Sequence, residues 1–144
     1  MRRRLVGTHR GPMSESNIQS VQRLYEAYGR GDVDAVLAEL SDDVDWAAEA
    51  AGTSVPWWGE FHGKGEVPRF FKEIASNVDV GKFDVVSLTS NDTDVVATVY
   101  WSFTVRATGK NASMYMQHWF RFEDGKIVFF RGSEDTEQSA RAFS

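Results

Sequence analysis

Cysteine is absent from the 144 residues, which removes disulfides, thiolate nucleophiles and cysteine metal centres from any account of the chain. Proline occurs only three times. Apolar runs stop well short of the roughly 20 residues that a membrane-spanning helix needs, so no segment is expected to cross a bilayer. Histidine is equally scarce: His9, His62 and His118 are the only three, and no pair has the helical spacing of zinc enzymes, so no metal site is expected. Basic charge is missing from most of the chain. The first twelve residues hold Arg2, Arg3, Arg4 and Arg10 and no acid, which leaves 12 basic against 21 acidic side chains in the remainder. A negative body lacks the basic surface that displaces counterions from nucleic acid, so no nucleic-acid partner is expected. The opening segment also lacks the apolar stretch of a signal peptide. Residues 1 to 12 therefore read as a disordered basic extension, and the protein as cytoplasmic.

What the chain does have is aromatic mass. Five tryptophans and ten phenylalanines sit in a chain that is 42% hydrophobic, enough for one compact domain over residues 13–144. Aromatic rings bury large areas with few rotatable bonds, which suits a pocket or an oligomer interface.

Hydrophobic spacing organises the elements. Ser16-Asn17-Ile18-Gln19 has the form of a capping box, and Ile18, Val21, Leu24, Tyr25 and Tyr28 then recur at helical spacing until Gly29 and Gly31. Asp32 can cap a short second helix with Val33, Val36, Leu37 and Leu40 on one side. Val44 to Ala48 reads as a short strand, and residues 50 to 63 as an irregular loop, a candidate lid. A third helix is expected from about Lys64, tolerating Pro68 in its first turn and burying Val67, Phe70, Phe71 and Ile74. The period then changes to two: residues 80 to 89, 95 to 106, 113 to 122 and 126 to 133 read as strands of one antiparallel sheet. Asp135 to Gln138 has the shape of another cap, before a short terminal helix.

Alternation assigns faces. Val95, Ala97, Val99, Trp101, Phe103 and Val105 share the side expected to face the helices. In the next strand Met114, Met116, His118, Phe120 and Phe122 share the apolar side, which carries His118 inward. The opposite faces hold Tyr100, Tyr115 and Trp119. They are too aromatic for a fully wet surface, so a homodimer through the outer sheet face is expected.

Several stretches carry a resemblance. Tyr28-Gly29-Arg30-Gly31-Asp32-Val33-Asp34-Ala35-Val36, Leu40-Ser41-Asp42-Asp43-Val44-Asp45-Trp46, Phe61-His62-Gly63-Lys64-Gly65-Glu66-Val67, Phe122-Glu123-Asp124-Gly125-Lys126-Ile127 and Arg131 through Thr136 resemble the nuclear-transport-factor-like superfamily. This superfamily includes ketosteroid isomerases and SnoaL-like polyketide cyclases. The resemblance implies an α+β fold: a curved antiparallel sheet wrapped around about three N-terminal helices, cone-shaped with an internal pocket. It also exposes departures. An ungapped alignment places the isomerases' helical tyrosine at Leu24 and their aspartate base at Ala48. The acid that SnoaL-like cyclases and epoxide hydrolases carry on the final strand falls at Gly132.

The site is therefore argued from the residues themselves, because one scaffold hosts many activities. His118, Arg131, Glu134 and Asp135 are the candidate catalytic groups. Trp46, Trp101, Phe103, Met116 and Phe120 are the candidate substrate-binding lining, and Trp57 and Trp58 are placed to close over a ligand. Each has a plainer reading: His118 as a satisfied core ring, Asp135 as a helix cap, Glu134 as a rim carboxylate, Arg131 as a carboxylate's partner, and Trp57 and Trp58 as loop packing. The fragment at Gly63 lacks the pattern of a phosphate loop, and no cofactor is expected. Three functions follow: a cofactor-independent isomerase, cyclase or hydratase/dehydratase acting on an apolar, polycyclic or terpenoid-like small molecule with His118 as acid/base; a non-catalytic binding or accessory module; and a structural dimeric domain with a filled core.

Overall fold

A long first helix, α1 (Pro12–Gly29), opens the computed structural model, which describes residues 12–144. The expected basic extension lies outside the described residues, apart from Pro12 at the head of this helix. The helix starts earlier than the capping box implied. Ser14 and Asn17 instead tie the helix to a distant turn, Ser14 Oγ lying 2.6 Å from Ser90 Oγ and Asn17 Nδ2 donating to the Asp92 carbonyl at 3.5 Å. Gly31, at φ +71°, turns the chain in a conformation that L side chains rarely adopt. Asp32 then caps α2 (Val33–Leu37), its carboxylate accepting from Ala35 N at 3.1 Å.

The next stretch corrects two expectations. Strand β1 spans Leu40–Ala48, longer than the run from Val44, and the loop once read as irregular contains an edge strand, β2 (Gly59–His62), paired antiparallel with β1. Gly63 follows at φ +69°, and a Cβ there would stand 2.8 Å from the Asp42 carbonyl oxygen, so only glycine fits this corner. Helix α3 (Gly63–Asn77) buries Val67, Phe70, Phe71 and Ile74 as their spacing predicted, with Pro68 in its second turn rather than its first.

The remaining strands are β3 (Val78–Ser90), β4 (Asp94–Val105), β5 (Asn111–Glu123) and β6 (Lys126–Ser133), followed by α4 (Thr136–Phe143). The sheet runs β2-β1-β6-β5-β4-β3. Every neighbouring pair is antiparallel except β1 and β6, which lie parallel and make the sheet mixed. A parallel neighbour requires a long crossover, and here the helix α3 and the four strands β2 to β5 supply it. Alternation holds along β4 and β5: the odd residues of β4 and Ala112, Met114, Met116, Phe120 and Phe122 of β5 are buried. Each buried valine, phenylalanine or methionine of that set contributes about 1.5–3 kcal/mol relative to exposure. Against this inner face pack α1 and α3, so the space between helices and sheet becomes the site.

Candidate functional site

His118 reaches the interior because β5 alternates strictly from Met114 through Phe120. Its partner comes from the opposite layer. Tyr25, on the inward stripe of α1, places its Oη 2.7 Å from His118 Nδ1, with the two rings nearly parallel at 21° and 5.9 Å between centroids. Phe130 at 5.2 Å and Phe120 at 6.3 Å close the imidazole's flanks. Among the described residues no partner reaches His118 Nε2, so the second ring nitrogen is free for a ligand. Burial among these rings disfavours the charged form and lowers the His118 pKa to about 4. The ring is only half-buried by surface area because it borders an internal void. Burial also pushes the Tyr25 hydroxyl well above its ordinary value. Both groups are thus neutral near pH 7.

The void holds about 60 Å³ of space open to the centre of a water molecule and about 620 Å³ of atom-free space counting its mouth. One water needs roughly 10–15 Å³ by the first measure, so there is room for a small ligand. Its walls are largely aromatic. Of the expected lining residues, Trp46, Trp57, Trp101, Met116 and Phe120 border it, as do His118 and Glu134. Phe103 and Trp58 do not. Phe103 is buried behind the wall, 4.5 Å from Trp101 and 5.7 Å from Trp57 between ring centroids. Trp58 is half-buried over the loop near Gly52.

Glu134 enters by the same alternation that brings Phe130 and Gly132 inward along the end of β6. Its Oε1 accepts from Trp57 Nε1 at 2.9 Å, and its Oε2 accepts a short hydrogen bond from Ser139 Oγ of α4. Trp58 Nε1 lies close to the same carboxylate but is buried without a hydrogen-bond partner. Burial raises the Glu134 pKa, and the bonds from Ser139 and Trp57 only partly offset this. In the segment expected as a lid, Trp57 is 1% exposed and packs edge-on against Trp101, Phe103 and Phe143.

Two sequence candidates stand elsewhere. Arg131 alternates to the outer side, donates to the Asp45 carboxylate at 3.1 Å, lies 3.7 Å from Glu49, and stacks 4.2 Å over Phe129. Asp135 is exposed and caps α4 by accepting from Gln138 N at 3.2 Å. Neither borders the void. The lining residues that sequence reasoning did not place in the site include Tyr25 and Tyr28 of α1, Phe70 and Phe71 of α3, Phe83 of β3, and Phe130 of β6. Tyr25 and Tyr28 carried a signal, since both lie on the apolar stripe of α1, but that spacing marks core and site alike. The position read as Leu24 is one residue away from a tyrosine that does reach the cavity. Ala48 and Gly132 border the void without a carboxyl group. Among the described residues, no group of three or more His, Asp or Glu side chains could hold a metal ion.

Comparison with known proteins follows this geometry. The model of the SnoaL-like domain family matches residues 21–130. An NTF2-like protein of unknown function from Burkholderia pseudomallei superposes with a TM-score of 0.82 at 27% identity, covering 90% of this chain and 98% of that one. A candidate polyketide cyclase from Xanthomonas campestris pv. campestris gives 0.73 at 20% identity, covering 91% and 98%. An LEH-like epoxide hydrolase from M. tuberculosis gives 0.69 at 17% identity, covering 92% of each chain. Among curated proteins none matches.

Proposed function

This chain belongs to the SnoaL-like domain family, and from that premise we propose that it is a cofactor-independent proton-transfer enzyme of the isomerase, cyclase or hydratase/dehydratase type. The observation that carries the reading is the 2.7 Å contact between Tyr25 Oη and His118 Nδ1 at the edge of an apolar void, with Nε2 unpartnered. In one tautomer Tyr25 donates to Nδ1 and Nε2–H polarises a carbonyl, hydroxyl or epoxide oxygen of the ligand. In the other, Nε2 takes up a proton and Nδ1–H donates to Tyr25 Oη, which holds the resulting imidazolium in place. Both uses gain from the low dielectric of the site, where an aimed donor or acceptor acts more strongly than in water.

The substrate is an apolar molecule of about one ring with an oxygen function, since the space open to water centres is about 60 Å³. That is smaller than the polycyclic body the sequence suggested. The direct test incubates the protein in D2O with one-ring enones, epoxides and β-hydroxy ketones and reads deuterium uptake or conversion by mass spectrometry. Conversion by the native protein that is lost in His118→Gln supports the reading; conversion at an equal rate in His118→Gln removes it.

A second reading, a binding module without chemistry, is favoured by Ala48 and Gly132, which present no acid at the cavity wall. A ligand recovered unaltered after long incubation selects it. On either reading we propose a homodimer through the outer sheet face, where Tyr115 is 63% and Trp119 38% exposed. Tyr100 packs edge-on to Tyr115 at 5.1 Å, and Trp119 to Phe129 at 4.9 Å. A second copy would cover these rings.

A further inference from the structure

Glu134 is a half-buried carboxylate at the cavity wall, with no cation beside it among the described residues. Among the described residues none of the ion pairs involves it. The base nearest in sequence, Arg131, is held outside by Asp45 and Glu49. Among the described residues no lysine or arginine borders the cavity. A buried charge without a counter-charge is costly, and removing such a cost is what a ligand of opposite sign does on binding.

The geometry keeps this carboxylate ready rather than satisfied. Trp57 Nε1 and Ser139 Oγ each occupy one acceptor direction on a different oxygen, and a carboxylate has about four. Glu134 borders the cavity, and its acceptor capacity exceeds these two bonds, with Trp58 as a further neighbour. Around them stand aromatic rings: Trp57, which orients the carboxylate, and Trp101, in edge contact with Trp57 at 5.5 Å, both bordering the void. Indoles are the best π partners for an ammonium group, and desolvation strengthens the attraction. The other polar side chains of the wall, His118, Tyr25, Tyr28 and Ser133, supply no positive charge near pH 7 to pair with an anion.

We propose that the cavity selects a small protonated amine, its ammonium seated between the Glu134 carboxylate and the rings of Trp57 and Trp101, its apolar body and oxygen function extending toward His118. This rests on the reading of the cavity as a ligand site and adds the charge of the ligand to it. An anionic compound of the same size is excluded by the same carboxylate.

The test uses three one-ring probes of nearly equal shape: phenethylamine, 2-phenylethanol and phenylacetate, titrated at pH 7.5 by calorimetry with tryptophan fluorescence as a second readout. Phenethylamine is expected to bind about tenfold or more tightly than 2-phenylethanol, the equivalent of about 1.4 kcal/mol, and phenylacetate not to bind. Glu134→Gln keeps an oxygen to accept from Trp57, so it should bring the amine-to-alcohol ratio to about one while leaving the alcohol within about twofold. Equal affinities in the native protein, binding of phenylacetate, or no binding of any probe at millimolar concentration overturns the proposal. His118→Gln separates it from the proton-transfer reading. A retained amine-to-alcohol ratio in that variant supports selection by Glu134, and a collapsed ratio contradicts it; turnover, measured on the same samples, speaks only to the chemistry.

Discussion

Tyr25 and His118, 93 residues apart in sequence, meet through Oη and Nδ1 at 2.7 Å and join the first helix to the fifth strand inside the cavity. The contact fixes the ring's orientation and leaves Nε2 without a partner among the described residues. Its consequences can be measured.

If His118 moves the proton, His118→Gln should lower kcat by about a hundredfold or more. Tyr25→Phe removes only the positioning hydrogen bond, worth up to about 1.4 kcal/mol, so it should lower kcat by about tenfold with KM little changed. Steady-state kinetics on any substrate found in the D2O screen checks both. Equal losses in the two variants would instead make Tyr25 a full partner in the chemistry.

The His118 pKa is lowered from 6.5 to about 4 by burial, so as pH falls the unfolded chain takes up the proton first. The stability associated with the neutral ring is fully present above about pH 6.5 and is lost toward pH 4, about 3 kcal/mol in total. Glu134 works in the opposite sense, because its raised pKa favours the folded state at low pH. Tyr25 and Tyr28 stay neutral throughout, their pKa values being raised by burial. Urea unfolding of the native protein and His118→Gln, compared from pH 4 to 7.5, isolates the histidine. A native curve no steeper than the variant's refutes the burial argument.

Gly132 pairs across the sheet with His118. A Cβ at this position would stand 3.2 Å from Phe130 Cζ and 3.6 Å from His118 Cδ2. Phe130 is stacked at 3.9 Å on Trp46 and cannot retreat freely. Gly132→Ala should therefore cost about 1–3 kcal/mol and weaken ligand binding by narrowing the cavity. Thermal unfolding together with probe titration reads both effects; an unchanged midpoint would show that Phe130 gives way.

Paired replacement of Tyr115 and Trp119 by lysine should convert a dimer to a monomer in sedimentation velocity, with no change in the far-ultraviolet circular dichroism. Placing like charges on a self-facing surface is repulsive, whereas a partner-free sheet face would tolerate them. A native protein that sediments as a monomer at micromolar concentration removes the dimer.

Much of the fold was legible because amphipathic periods report which side chains avoid water. The inward set of β4, the turn into α2 at Asp32, the buried stripe of α3 and the capping role of Asp135 all follow from local spacing. Other features were not local. The capping box at Ser16 did not start α1, because Ser14 and Asn17 bond to a turn more than seventy residues away. The strand β2 escaped notice because a four-residue edge strand leaves too short a pattern, with only Phe61 of its residues buried. Strand alternation sets Arg131 and Asp135 on one side and Glu134 on the other, but which side borders the cavity is decided by the packing of the layers, and it is that of Glu134.

The chain's order of residues by itself determined the cast: an aromatic wall, an inward histidine, a cysteine-free and mostly acidic body, and the periods that make helices and strands. Tertiary structure decided the pairings, namely Tyr25 with His118 and Trp57 and Ser139 with Glu134. The physical reason is range. Periodicity records the contest between each side chain and water one element at a time, whereas a hydrogen bond across a cavity depends on how two separate layers pack, which no window of sequence contains.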